Sequence, residues 1–125
     1  MKFFVYGTLK TGFRLNRYLA GARSLGEAET VDADFQLYDL GPYPAVRPRG
    51  DAPGVAIRGE LFVGPAALRD DLDDVEGYPD LYDRRLVTVR CGGQLHDAWM
   101  YVYADEPCDA PRCPSGAWPD VVSAT

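Results

Sequence analysis

Apolar residues in this chain fall in short runs and alternations rather than long stripes. Phe3-Phe4-Val5-Tyr6 is aromatic and β-branched, and Gly7 stops it. That pattern predicts a short buried strand. Beyond the Gly7–Gly12 loop, Leu15, Tyr18 and Leu19 recur at i, i+3 and i+4 and predict a short helix ended by Gly21. Val31, Ala33, Phe35 and Leu37 alternate with Asp32, Asp34 and Gln36, predicting one half-buried strand from Thr30 to Leu37. Gly41-Pro42-Tyr43-Pro44 reads as a turn, Ala45-Val46 as the start of another extended piece, and 48–53 as a surface loop. Val55 to Val63 predicts a strand in which Gly59 marks a bulge or a close approach. Pro65 suits a first helical turn, and the helix it opens runs to about Glu76, stops at Gly77 and has Pro79 just beyond. Strands from Arg84 to Arg90 and from Ala98 to Tyr103 follow, separated by Cys91-Gly92-Gly93.

Five or six strands with two short helices indicate an α+β fold. The strands are mostly consecutive with short links, which favours an antiparallel or mixed sheet curled into a small barrel. At 125 residues the chain is one domain's worth. We divide it into a domain at 1–104 and a proline-rich tail or strap at 105–125, for which Trp118 is the candidate anchor.

Charge removes several classes of function. A formal net charge of −6 argues against nucleic acid and anionic membrane surfaces, which need clustered Lys and Arg. The apolar run at the N-terminus is too short for a signal peptide, and no window approaches a membrane helix. Three cysteines, Cys91, Cys108 and Cys113, are odd in number and sparse, so a reducing, cytoplasmic setting is expected. The spacing of Cys108 and Cys113 among prolines reads as fortuitous rather than as a metal site, and neither metal nor cofactor is expected. His96 is the single histidine and reads as a polar residue entering a strand. Gly7 and Gly12 have the spacing of a phosphate-binding loop, but Phe13-Arg14 stands where that motif demands Lys followed by Ser or Thr.

The chemistry-bearing candidates lie at two places. In the helix, Leu68, Leu72 and Val75 define the buried face, and Asp70, Asp73 and Asp74 point away from it as a solvated acidic face. Glu76 projects about 70° from the centre of the apolar face, at its edge, and Asp71 lies on the opposite edge. Glu76 is distinguished by position, as the last residue before Gly77. The helix dipole, the acidic neighbours and partial burial would all raise its pKa. A carboxyl group so prepared both takes and gives a proton near neutral pH. The second place is Tyr6-Gly7-Thr8-Leu9, where a strand ends in a glycine turn and successive N–H groups can be left pointing into a cleft. Near the helix end, Tyr78, Tyr82 and Arg84 follow the candidate acid.

Phe4-Val5-Tyr6-Gly7-Thr8-Leu9-Lys10, followed by Gly12 and Asn16, resembles the opening signature of the γ-glutamylcyclotransferase-like family, most closely its γ-glutamylamine cyclotransferase branch. Matching residues recur in order: Gly41-x-Tyr43-Pro44-Ala45, Gly59-Glu60-Leu61-Phe62, Leu72-Asp73-x-x-Glu76-Gly77, Leu81-Tyr82-x-Arg84, and Ala98-Trp99-x-Tyr101-Val102-Tyr103. The resemblance covers about residues 3–104. It implies a small mixed β-barrel of five to seven strands with two or more short flanking helices. Its catalytic glutamate falls on Glu76 and its substrate loop on Tyr6, Gly7, Thr8 and Leu9; Asn16, Tyr43, Tyr82 and Arg84 are the further substrate-binding candidates. The implied reaction releases 5-oxoproline and an amine from a small-molecule γ-glutamyl amine or γ-glutamyl amino acid, without cofactor. The alternatives are a γ-glutamyl hydrolase, with water as nucleophile, and a non-catalytic ligand-binding or interaction module on the same barrel.

Overall fold

The computed structural model describes residues 1–107 and 110–119. Cys108, and with it the Cys108–Cys113 spacing, lies outside the described residues.

Five strands close into a barrel in the order β1 (Lys2–Val5), β5 (Arg58–Val63), β2 (Arg23–Thr30), β6 (Tyr82–Cys91) and β7 (Gln94–Tyr103). All neighbours run antiparallel except β7 and β1, which close the barrel in parallel, so the sheet is mixed. A separate hairpin, β3 (Phe35–Asp39) and β4 (Pro44–Pro48), packs beside it. Among the described residues one α-helix, α1 (Leu68–Glu76), and one 3-10 turn at Asn16–Leu19 lie against the outside. The fold is α+β, as the spacing of elements predicts.

The continuous apolar run of β1 now has its reason: both of its faces are covered. Phe4 joins Leu61, Val89, Ala98 and Met100 in the barrel's own core, together with Leu37 and Val46 from the hairpin. Phe3 and Val5 point the other way, into a second cluster with Phe62, Leu68, Leu72 and Tyr101 beneath α1. Gly59 is a close approach: a Cβ there would sit 2.2 Å from the Val5 carbonyl oxygen across the β1–β5 pair. The β6–β7 hairpin turns on Gly92-Gly93, both at positive φ (58° and 81°), the two-residue geometry that matches strand twist.

Two expectations need correction. The alternation from Thr30 to Leu37 is not one strand. β2 ends at Thr30 and β3 begins at Phe35, and Val31 and Ala33 are exposed in the link between them. Alternation ran on through the link by composition alone, and Gln36, assigned to the wet face, is buried. The sequence reading also missed β2 over most of its length. Its apolar signal is weak because its inward positions hold small residues such as Ala28, and a register shift between Ser24 and Gly26 breaks the period.

Residues 110–118 run back across the hairpin. Cys113 N–H donates to the Leu37 carbonyl, Asp39 N–H donates to Pro111, and Arg58 N–H donates to Gly116. Trp118 is buried in the barrel core, and its indole N–H donates to Asp39 Oδ1 at 3.0 Å.

Candidate active site

The site starts from how α1 ends. Gly77 caps the helix in the left-handed conformation (φ 66°), and its N–H and that of Tyr78 return to the last turn's carbonyls. Leu72 is fully buried against the barrel, which sets the helix rotation. Glu76, one turn further on, therefore points from the helix's last position into the gap between α1 and the end of β1. There it lines a cavity of about 330 Å³ together with Tyr6, Gly7, Thr8 and Leu9.

The loop that faces it is held from behind. Lys10 N–H donates to the Gly7 carbonyl, Leu15 N–H donates to Thr8, and the Asn16 amide donates to the Leu9 carbonyl at 2.9 Å. Among the described residues, no backbone carbonyl accepts a hydrogen bond from the N–H groups of Gly7, Thr8 and Leu9. Gly7 is required by contact: a Cβ on it would lie 2.6 Å from Pro44. Pro44 is fixed from the other side, because the Tyr82 hydroxyl donates to its carbonyl at 2.5 Å. Tyr43 and Tyr82, in edge contact at 6.4 Å, both line the cavity. The Tyr6 hydroxyl donates to the Tyr101 carbonyl at 2.6 Å, tying β1 to β7 at the cavity floor.

Among the described residues, no protein donor reaches the Glu76 carboxylate. Burial pushes its pKa up to about 7. Of the three causes the sequence suggests for a raised pKa, the helix dipole, the acidic neighbours and burial, it is burial that operates here. The same burial holds the phenols of Tyr6, Tyr82 and Tyr101 above their ordinary range, with the nearby Glu76 adding to it. These hydroxyls stay protonated near neutral pH and serve as donors rather than bases.

Six of the eight binding candidates line the cavity, and two do not. Asn16 works behind the loop. Arg84 donates through Nε to Asp73 Oδ1 at 3.0 Å and lies over the rings of Tyr78 and Trp99. The same Asp73 oxygen accepts the Tyr101 hydroxyl at 2.6 Å. Asp73 is thus not part of a solvated acidic face; its side chain is 15% exposed, because Arg84 on β6 and Tyr101 on β7 reach up beside the helix. Asp70 and Asp74 are exposed as expected, and Asp71, placed at the edge of the apolar face by the helical period, is exposed too. The sequence reading did not count Tyr101, Arg14, Tyr18 or Leu81 among the site residues, yet all four line the cavity. Tyr101 stood inside the Ala98–Tyr103 pattern, but only the β6–β7 register shows that it faces α1. Among the described residues there is no cluster of three His, Cys, Asp or Glu side chains able to hold a metal ion, and no helix is long and apolar enough to cross a membrane.

Comparison with known proteins places the whole chain, not this geometry alone. Residues 3–120 match the family model for γ-glutamyl cyclotransferase, AIG2-like. The chain belongs to the γ-glutamylcyclotransferase family. The match extends through the strap at 110–119. A γ-glutamylcyclotransferase family protein of Citrobacter rodentium is 32% identical over 96% of both chains. A protein of Vibrio cholerae named a putative γ-glutamylcyclotransferase is 31% identical over 92% of both. Among solved structures, an AIG2-like protein from mouse superposes with a TM-score of 0.75 at 27% identity, covering 91% of this chain and 86% of that one.

Proposed function

We propose that the chain catalyses intramolecular aminolysis of a γ-glutamyl amine or γ-glutamyl amino acid, with Glu76 as its general base and acid. One observation carries the reading: a carboxyl group with no protein donor among the described residues, pushed by burial to a pKa of about 7, shares a cavity with Gly7, Thr8 and Leu9, whose N–H groups no described carbonyl accepts.

The chemistry follows from those two groups. The substrate's α-amino nitrogen attacks its own γ-carbonyl carbon, and Glu76 takes the proton that the nitrogen sheds. The carbonyl oxygen gains negative charge as the tetrahedral centre forms, and the N–H groups of Gly7, Thr8 and Leu9 are the donors that stabilise it in this reading. The bond from the γ-carbon to the departing nitrogen then breaks. Glu76 returns its proton to that nitrogen, giving 5-oxoproline and a free amine. A pKa near 7 suits both halves, since a stronger base would not give the proton back. Nucleophile and electrophile share one molecule, so holding the glutamyl chain folded is itself a large contribution. Tyr6, Tyr43 and Tyr82 supply walls around the reacting centre; water that reached it would compete with the amine as nucleophile and yield glutamate.

The test is incubation with a panel of γ-glutamyl amines, γ-glutamyl amino acids and glutathione, with product analysis. Formation of 5-oxoproline supports cyclotransfer. Free glutamate would indicate a hydrolase, and binding without turnover a ligand-binding module.

A further inference from the structure

Of the residues that line the cavity, two carry a formal charge: Glu76, deep in it, and Arg14. Their positions differ by depth. Phe4, Tyr6, Tyr82 and Tyr101 form inner walls that are at most 5% exposed, whereas Tyr18 is 39% and Leu81 41% exposed. Arg14 is exposed and belongs with the latter, at the mouth. Among the described residues its guanidinium has no carboxylate partner. Arg17 flanks it, donating Nη1 to the Arg14 carbonyl at 2.9 Å and lying 4.8 Å over the Tyr18 ring. Arg14 is thus the one cationic side chain among the described residues that line the cavity, on a chain of net charge −6.

The reaction fixes how a substrate sits between these depths. Its α-amine must reach Glu76, and its α-carboxylate, attached to the same carbon, goes in with it. Its γ-carbonyl oxygen must reach the loop N–H groups. The substituent on the departing nitrogen leaves the reacting centre in the remaining direction, away from the closed inner walls and past Arg14. A guanidinium presents a planar fork of donors that matches a carboxylate.

We infer that Arg14 is a specificity residue that selects γ-glutamyl substrates whose departing amine bears a carboxylate, as in γ-glutamyl amino acids and peptides. This deepens, and rests on, the cyclotransferase reading. An amine without an anionic group gains nothing at the mouth and is turned over through the inner contacts alone.

The experiment compares kcat/KM, read as 5-oxoproline formed, for γ-glutamylglycine and γ-glutamylethylamide. Both are γ-glutamyl amides of a two-carbon amine, and the carboxylate is the group they do not share. The wild type should prefer γ-glutamylglycine by about tenfold at low salt, less at high salt. Arg14→Gln should lose that preference by slowing γ-glutamylglycine only, and Arg14→Lys should keep part of it. Arg14 is exposed, so its replacement leaves the core intact, which circular dichroism checks. An equal loss on both substrates would overturn the inference, because the guanidinium would then be holding the α-carboxylate that both carry. An undiminished preference in Arg14→Gln would overturn it too. If neither substrate gave 5-oxoproline with the wild type, the cyclotransferase reading would fall and this inference with it. Continued turnover of γ-glutamylethylamide without any preference would leave that reading standing and sink only the role of Arg14.

Discussion

Glu60 and Glu76 border the same loop and meet opposite fates. Glu60, on β5, accepts the Thr11 N–H at 2.8 Å, the Thr11 hydroxyl at 2.7 Å and the Ser24 hydroxyl at 2.6 Å. Burial alone would raise its pKa, but these hydrogen bonds and the charge of Lys10 outweigh it and hold the carboxyl below its ordinary value. Glu76, on the cavity side, has no such donors among the described residues, and burial takes it up to about 7. Two identical side chains are thus divided by their donors: one is held charged as a brace for the loop, and the other is left for the proton-carrying role proposed above. A saturated carboxylate stabilises a structure, and an unsatisfied one is available to a substrate.

The largest effect should come from Glu76→Gln. The two side chains have nearly the same shape, but the amide cannot carry the proton, so turnover should fall by about 10²-fold or more while ligand binding changes much less. Measured kcat beside a binding titration checks this; wild-type turnover would break the comparison at its centre. The same variant should alter stability with a definite sign. A carboxyl whose pKa is higher folded than unfolded favours the fold below its unfolded value and loses that advantage as pH rises through about 7. At pH 8 Glu76→Gln should therefore be more stable than the wild type, by up to about 3 kcal/mol, and at pH 4 nearly equal to it. Denaturant melts at the two pH values decide it.

Trp118→Ala should come next. This ring is buried in the barrel core and packs 5.8 Å from Phe13, and Lys10 Nζ donates to the Trp118 carbonyl beside the loop. Emptying such a site costs about 3 kcal/mol or more, visible as a lower melting temperature. Glu60→Gln removes the charge of the brace but keeps its shape. About 1 kcal/mol of stability and a few-fold in turnover are expected, with no new pH dependence; a loss like that of Glu76→Gln would mean that the two glutamates do not differ in role. The smallest effects belong to Asp71→Asn and to replacing Cys91, Cys108 and Cys113 by Ser. Asp71 is exposed and should be neutral for turnover. The cysteine variant should keep kcat per folded molecule, though the buried Cys91 and Cys113 make some stability loss expected.

What could be read from the chain before its structure follows the same division. The helix and its stop were legible because Gly77 is a strong local signal, and Glu76 precedes it. The strand-to-turn at Tyr6-Gly7 was legible for the same reason. β2 was not, since a small barrel fills its interior with residues as modest as Ala28, which leave little hydrophobic pattern. Arg84 is a binding candidate in the sequence because it follows Glu76 within a few residues and completes the Leu81-Tyr82-x-Arg84 pattern. In space it turns to Asp73, which only the pairing of β6 with β7 and the height of α1 above them reveal. Tyr101 was passed over for the mirror-image reason: its role depends on which face of β7 meets the helix. Local signals mark where elements stop, whereas cross-strand register decides which side chains share a cavity.

The central claim is that Glu76 is a carboxyl kept available near neutrality. ¹³C NMR of the labelled glutamate carboxyl groups in the intact protein measures that directly, with the Glu76 resonance identified by its loss in Glu76→Gln. A titration midpoint near 7 for Glu76, beside one below the ordinary glutamate value for Glu60, is the predicted result. A Glu76 midpoint in the ordinary range, about 4.3, would contradict it.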